Sequence, residues 1–221
     1  MEAILDRYAE PDDPLYPLVG FDESPDHLGS AGRPPLPVAP GQPVRYDDAY
    51  RREGTCHLCM CVEPLQGWRQ VKGTDRRTTQ DFAYWMRDLV DSHFPRAAVI
   101  SVVWDHLNPH PPAALYATCP PAEACRLVRK VDFHDTPTHG RWLTMAAIAF
   151  AVVTTQGLDR RLGHQETVRR AITAGETRRH TAKATVDWRF PATKARRKLK
   201  HIYPLSSMWW STRFFAIGGH P

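Results

Sequence analysis

No stretch of this 221-residue chain approaches the roughly 20 consecutive apolar residues of a membrane span, so no membrane-crossing helix is expected. The start, Met1-Glu2-Ala3-Ile4-Leu5-Asp6, lacks the basic and apolar regions of a secretory leader, which points to a cytoplasmic protein. Cysteine is sparse and odd in number, five in all, so no disulfide framework is expected. Cys56-x-x-Cys59, with Cys61 close by, invites a zinc reading. No second Cys-x-x-Cys exists to complete it, because Cys119 and Cys125 are separated by five residues. The nearly apolar run Cys56–Val62 reads instead as a buried strand in which cysteine acts as a small hydrophobe. No internal repeat is visible.

Enough is present for one sizeable folded domain. Hydrophobic residues make up 42% of the chain and there are seven tryptophans, as a packed core requires. Charge is unevenly placed. Leu158–His201 holds 13 Lys/Arg against four acids (Asp159, Glu166, Glu176 and Asp187), within a chain of 29 basic and 24 acidic residues. The body is therefore acidic and the C-terminal third basic. This suits a protein that holds metal ions in one part and a polyanion in another, though a solvated helical surface has the same composition.

Met1–Tyr8 can form a short helix, and Leu18–Phe21 reads as a buried strand ending at Asp22. Residues 24–48 have the composition of a loop. Strands are expected at Cys56–Val62 and Trp68–Lys72, joined as a hairpin across Glu63-Pro64-Leu65-Gln66-Gly67. Thr79–Phe94 has helical spacing, with Thr78 or Thr79 as its cap. The apolar run Ala97–Trp104 resembles a central parallel strand covered on both faces. Further helices are expected at Pro120–Lys130, Trp142–Leu158, Gln165–Arg179 and Thr193–Tyr203, with a short strand at Val131–His134. The order describes one α/β domain, a mixed sheet with helices on its faces, over residues 1–204. The tail, residues 205–221, has no clear pattern.

Two carboxylates stand out by position. Asp22 and Asp105 each directly follow an apolar strand. Strand-end turns and helix caps often carry aspartate, but phosphodiester chemistry also places acids there. Two divalent ions roughly 3.5–4 Å apart, held by carboxylates from different elements, clamp the attacking and leaving oxygens. Mg²⁺ and Mn²⁺ favour such oxygen ligands.

The flanking residues are more specific. In order they read Leu5-Asp6-x-Tyr8-Ala9-x-Pro11, Phe21-Asp22-Glu23-x-Pro25, Pro35-Leu36-Pro37, Pro40-Gly41 and Tyr50-Arg51-Arg52-x-Gly54-Thr55. Val62-Glu63-Pro64-Leu65-x-Gly67-Trp68-Arg69 and Asp75-Arg76-Arg77-Thr78 follow. Then come Asp105-His106-Leu107-Asn108-Pro109-His110, Asp187-Trp188-Arg189-Phe190, Lys198-Leu199-Lys200 and Tyr203-Pro204. From Met1 to Pro204 the chain resembles the catalytic part of bacterial insertion-sequence transposases of the Tc/mariner superfamily, the DDE endonucleases. The resemblance implies a ribonuclease H-like fold, a five-stranded mixed sheet flanked by helices. It also implies that Asp22 and Asp105 lie on neighbouring strands as ligands of Mg²⁺ or Mn²⁺. The implied partner is DNA, as transposon ends and target, in the bacterial nucleoid. A homodimer is compatible with it, and no small-molecule substrate is implied.

The departures concentrate in one block. The family pattern His-Gly-Ser-Trp-Leu-Asn-Met-Ala-Glu-Ile-Glu here reads His139-Gly140-Arg141-Trp142-Leu143-Thr144-Met145-Ala146-Ala147-Ile148-Ala149. Ala147 stands where the resemblance places the third acid, and alanine offers a metal no lone pair. His106, Ser24 and His180 replace the family's usual Asn, Lys and Asn. Severe loss of strand cleavage and transfer is therefore expected, with a non-catalytic DNA-binding remnant as the alternative. Asp135, near the end of the last strand, is the best substitute acid. His106, His110, His134 and His139 fit no zinc spacing. Trp68, Trp142 and Trp188 could stack on bases, but core packing is the better default. Arg189, Arg196, Arg197, Lys198 and Lys200 are candidates for phosphate contact. Relatives carry helix-turn-helix modules ahead of the catalytic part, whereas Met1 stands shortly before Asp22. A truncated or frame-split copy holding DNA only loosely is the expectation.

Overall fold

β-branched and cysteine-rich runs build a sheet whose middle strands are buried on both faces. In a computed structural model, residues 1–31, 41, 49–105, 111–137 and 140–200 are described. Strands β1 (Leu18–Ala31), β2 (Tyr50–Glu63), β3 (Trp68–Thr74), β4 (Ile100–Trp104) and β5 (Val131–Asp135) form one sheet in the order β3-β2-β1-β4-β5. β1 and β2 pair antiparallel, as do β2 and β3. β1 and β4 pair parallel, and so do β4 and β5. Three antiparallel strands followed by two parallel ones is the ribonuclease H-like sheet. Every residue of β4 is buried, as a strand covered on both faces must be.

Helices lie on both faces. On one, α2 (Thr79–Asp88), α3 (Pro111–Thr118) and α4 (Pro121–Lys130) pack against a core containing Val19, Phe21, Cys59, Cys61, Val102 and Trp104. On the other, α5 (Met145–Val153) and α6 (Gln165–Thr181) cover Leu28, Cys56, Leu58, Met60 and Val62. Alternation along β2 therefore sends Cys56 and Cys59 to opposite faces, where they cannot share an ion. Burial pushes the Cys59 thiol up to about 12 and the Cys61 thiol well above its ordinary value, so both stay protonated.

Several elements differ from the sequence reading. β1 runs on to Ala31, although loop composition was expected from residue 24, because it pairs with β2 from Gly20 to Ala31. Pro25 is tolerated there since β4 accompanies β1 only as far as Phe21. The expected helix at Trp142–Leu158 is broken. A 3₁₀ turn at Arg141–Leu143 and an extended Thr144 precede α5, and a π-helical turn at Thr154–Leu158 follows it. α3, which sequence periodicity did not suggest, fills part of the crossover from β4 to β5. Thr78 is the cap of α2, its hydroxyl accepting the Asp81 N–H at 3.1 Å while Asp81 accepts the Thr78 N–H at 3.0 Å.

The chain divides into two units, Pro11–Asp187 with Met1, and Glu2–Glu10 with the chain from Trp188. In the second, which holds α1 (Glu2–Arg7), Tyr8 meets Trp188 edge-on at 4.9 Å and Arg196 forms a bidentate pair with Glu2 at 2.6 and 2.7 Å. Its helix α7 spans Ala192–Lys198, shorter than expected. Residues 205–221 lie outside the described residues, as do His106, His110 and His139.

The β2–β3 turn carries a titration signature. Glu63 is almost fully buried, and its carboxylate accepts the Leu65 N–H at 3.2 Å and the Gln66 N–H at 2.7 Å. Burial outweighs those bonds and, with Asp12 nearby, lifts this carboxyl from 4.5 to about 7. Between those pH values the folded chain keeps a proton that the unfolded chain has released, so stability falls as pH rises through the window. At 1.36 kcal/mol per pKa unit the loss is of the order of 3 kcal/mol. Urea unfolding across the window should show this fall, and a Glu63→Gln chain should lack it. Identical profiles would exclude Glu63 as its source.

Candidate functional site

The parallel pairing of β1 with β4 places two carboxylates side by side. Phe21 pairs with Trp104, so the next residues are Asp22 within β1 and Asp105 just past the end of β4. Phe21 and Trp104 face the α2 side, while Asp22 shares the opposite face with Gly20. There α5 comes very close, since a Cβ on Gly20 would stand 3.0 Å from the Ala146 backbone nitrogen and 3.3 Å from its Cβ. Only glycine lets the first turn of α5 settle beside Asp22, and Ala147 lies in that turn.

A cation already stands between the two acids. Nη2 of Arg141 donates to both Asp22 carboxylate oxygens, at 3.2 and 3.1 Å, and to the Glu23 carbonyl at 3.3 Å. Its Nε lies 4.0 Å from Asp105 Oδ2. Asp105 also accepts the Thr136 hydroxyl at 3.2 Å, from a side chain that is itself buried. Burial raises the Asp22 carboxyl. Arg141, by charge and by hydrogen bond, and the Glu23 N–H oppose that rise, whereas Asp105 adds to it. The Asp22 side chain is 2% exposed and that of Arg141 48%, so the pair opens to solvent on the arginine side.

The turn that aims Arg141 is tight. Gly140 donates its N–H to the Pro137 carbonyl, and a Cβ at Gly140 would come within 2.6 Å of that oxygen. Thr144 N–H closes the following 3₁₀ turn on the Arg141 carbonyl at 2.9 Å.

The remaining candidates are placed elsewhere. Asp135 pairs with Trp104 and accepts its indole N–H, on the face where Trp104 packs with Phe82 and Phe133. The structure does not bring it to the Asp22–Asp105 pair. Glu23 points to the same face as Cys59 and forms an ion pair with Arg77. His134 lies 3.0 Å from Asp132. Trp68 packs beside Phe94 at 5.2 Å, whereas Trp142 is about half exposed. Arg189, Arg196, Arg197, Lys198 and Lys200 are all exposed, in the unit that contains α7. Sequence reasoning marked Arg141 only as a departure and passed over Thr136. The available signal for Arg141 was a new cation inside a block that closes on two acids.

These donors do not fit a two-ion centre. Arg141 already donates to both oxygens of Asp22, Asp105 is shared with Thr136, and Ala147 has no donor atom. Among the described residues no three His, Cys, Asp or Glu side chains are grouped to hold a metal ion. No helix among them is long and apolar enough to cross a membrane.

Comparison with solved structures finds the Mos1 mariner paired end complex with Mn at 16% identity and a TM-score of 0.46, covering 83% of this chain and 60% of that one. The Mos1 strand transfer complex follows at 14% identity and a TM-score of 0.40, covering 85% and 60%. The Drosophila P element transposase strand transfer complex is 12% identical, with a TM-score of 0.31 and coverage of 63% and 31%. The chain thus spans about 60% of the length of the Mos1 chains it matches. Among curated proteins no match is found. The family model for the DDE superfamily endonuclease matches residues 17–169, the segment that carries the sheet, Asp22, Asp105 and Arg141, and the chain therefore belongs to the DDE superfamily endonucleases.

Proposed function

We propose that this chain is a transposase-type domain of the Tc/mariner class, built for DNA strand cleavage and transfer, which holds DNA but has lost most of its cutting chemistry. The observation that carries the reading is the Asp22–Asp105 pair at the β1–β4 junction of a DDE endonuclease domain. In such chemistry Mg²⁺ or Mn²⁺ on a complete set of carboxylates would stabilise the attacking and leaving oxygens. Here the third position is Ala147, and Arg141 bonds Asp22. Loss of a supporting contact to a metal ligand commonly costs 10–100-fold, and loss of a ligand itself should cost more. The engagement of Asp22 by Arg141 favours the second reading, a DNA-binding remnant with no turnover.

DNA would be held through phosphates by the exposed cations Arg189, Arg197, Lys198 and Lys200. Arg196, which pairs with Glu2, belongs to the same exposed group. Affinity for duplex DNA, followed by fluorescence anisotropy, should fall steeply and linearly on a logarithmic salt scale. Arg197→Glu with Lys198→Glu should weaken binding to all sequences alike and flatten that slope by about two. Binding that ignores both salt and this double substitution would refute the DNA reading. Transposon-end and target DNA, and a homodimer, belong to the same proposal.

A further inference from the structure

We propose that the Arg141 guanidinium fills the cation position between Asp22 and Asp105, so that the site is locked by a charge tethered to the protein and divalent ions are kept out. The inference rests on reading the aspartate pair as a former metal site, and it goes further by naming what now holds the pair together. Three observations meet at Arg141. Its Nη2 contacts both oxygens of a buried carboxylate, which leaves neither free of a cationic donor. Its Nε approaches the second carboxylate at 4.0 Å, so one planar group spans both strands. The turn that presents it is confined by Gly140 against Pro137 and by the following 3₁₀ turn, so the side chain starts from a fixed point beside the acids.

The charge balance supports the same conclusion. Two adjacent acids, one of them buried, need a neighbouring positive charge in the folded chain. Either a metal ion or a side chain can supply it. A guanidinium and a divalent ion beside the same two Asp22 oxygens repel each other, so their occupancies compete. A side chain attached to the fold is present at a constant high effective concentration, whereas the ion must come from solution.

Mn²⁺ binding to the full chain without DNA, measured by titration calorimetry and by the electron paramagnetic resonance of free Mn²⁺, tests this. Arg141→Ser should bind one ion saturably, at least about tenfold more tightly than the unsubstituted chain. Asp105→Asn added to Arg141→Ser should abolish the gain. Circular dichroism checks that each variant folds. Arg141→Gln, which keeps a hydrogen-bond donor without the charge, serves if the serine variant does not fold and should also gain affinity. Saturable binding by the unsubstituted chain equal to that of the variants would overturn the lock, as would a gain that survives Asp105→Asn. Folded variants that gain nothing would overturn it too. Because no DNA is present, failure of the DNA reading would leave these results unaffected.

Discussion

Arg141→Ser combined with Ala147→Glu is expected to give Mn²⁺-dependent nicking of supercoiled DNA at least roughly 100-fold above the unsubstituted chain, while either change alone stays within about tenfold of it. The single changes fail for different reasons. Glutamate at 147 supplies an acid from the first turn of α5, where the positive end of the helix dipole favours it, but leaves Arg141 on Asp22. Serine at 141 clears the pair of carboxylates but supplies no third ligand. The two effects should therefore be strongly non-additive, as expected of groups that share one site. Gel separation of nicked from supercoiled plasmid measures the rate, and Asp105→Ala in the doubly changed chain is the control. Full activity from Ala147→Glu alone would show that Arg141 is no obstacle. Silence of the double variant, with DNA still bound, would place the defect outside this site.

Phe21→Ala is expected to destabilise the fold by about 3–5 kcal/mol, the cost of emptying a buried aromatic site. Phe21 is 2% exposed and meets Phe82 at 5.6 Å and Trp85 at 6.3 Å, edge to face, so α2 and the sheet lose contacts together. Against a total stability of roughly 5–15 kcal/mol this is a large fraction. Phe21→Leu, which keeps most of the volume, should cost no more than about 1.5 kcal/mol. Urea unfolding followed by tryptophan fluorescence measures both. A Phe21→Ala cost below that of Phe21→Leu would mean that the α2 face is not the principal core. The residue matters to the site as well, because it sets the step at which Asp22 leaves the strand pairing with β4.

The β2–β3 hairpin, the doubly covered strand and the two acids that follow apolar strands were readable in advance, because each signal was local. The apolar run ending at Trp104 announced a doubly covered strand, and all five residues of β4 are buried. Thr78 or Thr79 was expected to cap α2, and Thr78 does so, with reciprocal bonds to Asp81. Reading failed where partners far apart in the chain overrode composition. Residues 24–31 look like a loop, with Pro25 and Gly29 within it, yet pairing with β2 holds them extended. Asp135 looks available as a substitute acid, yet its register opposite Trp104 turns it to the other face of the sheet.

For the site, sequence by itself determined the inventory of chemistry: two acids after core strands, with an arginine and an alanine where the family resemblance leads one to expect serine and a third acid. Those are properties of single residues and short spacings. Only the tertiary structure decided what the arginine does. Asp22 and Arg141 are 119 positions apart, and their contact exists because α5 closes onto Gly20 and a tight glycine turn aims the guanidinium back at β1. No periodicity or propensity encodes that meeting. It follows from packing the far side of the sheet, and packing is the property that a one-dimensional pattern carries least.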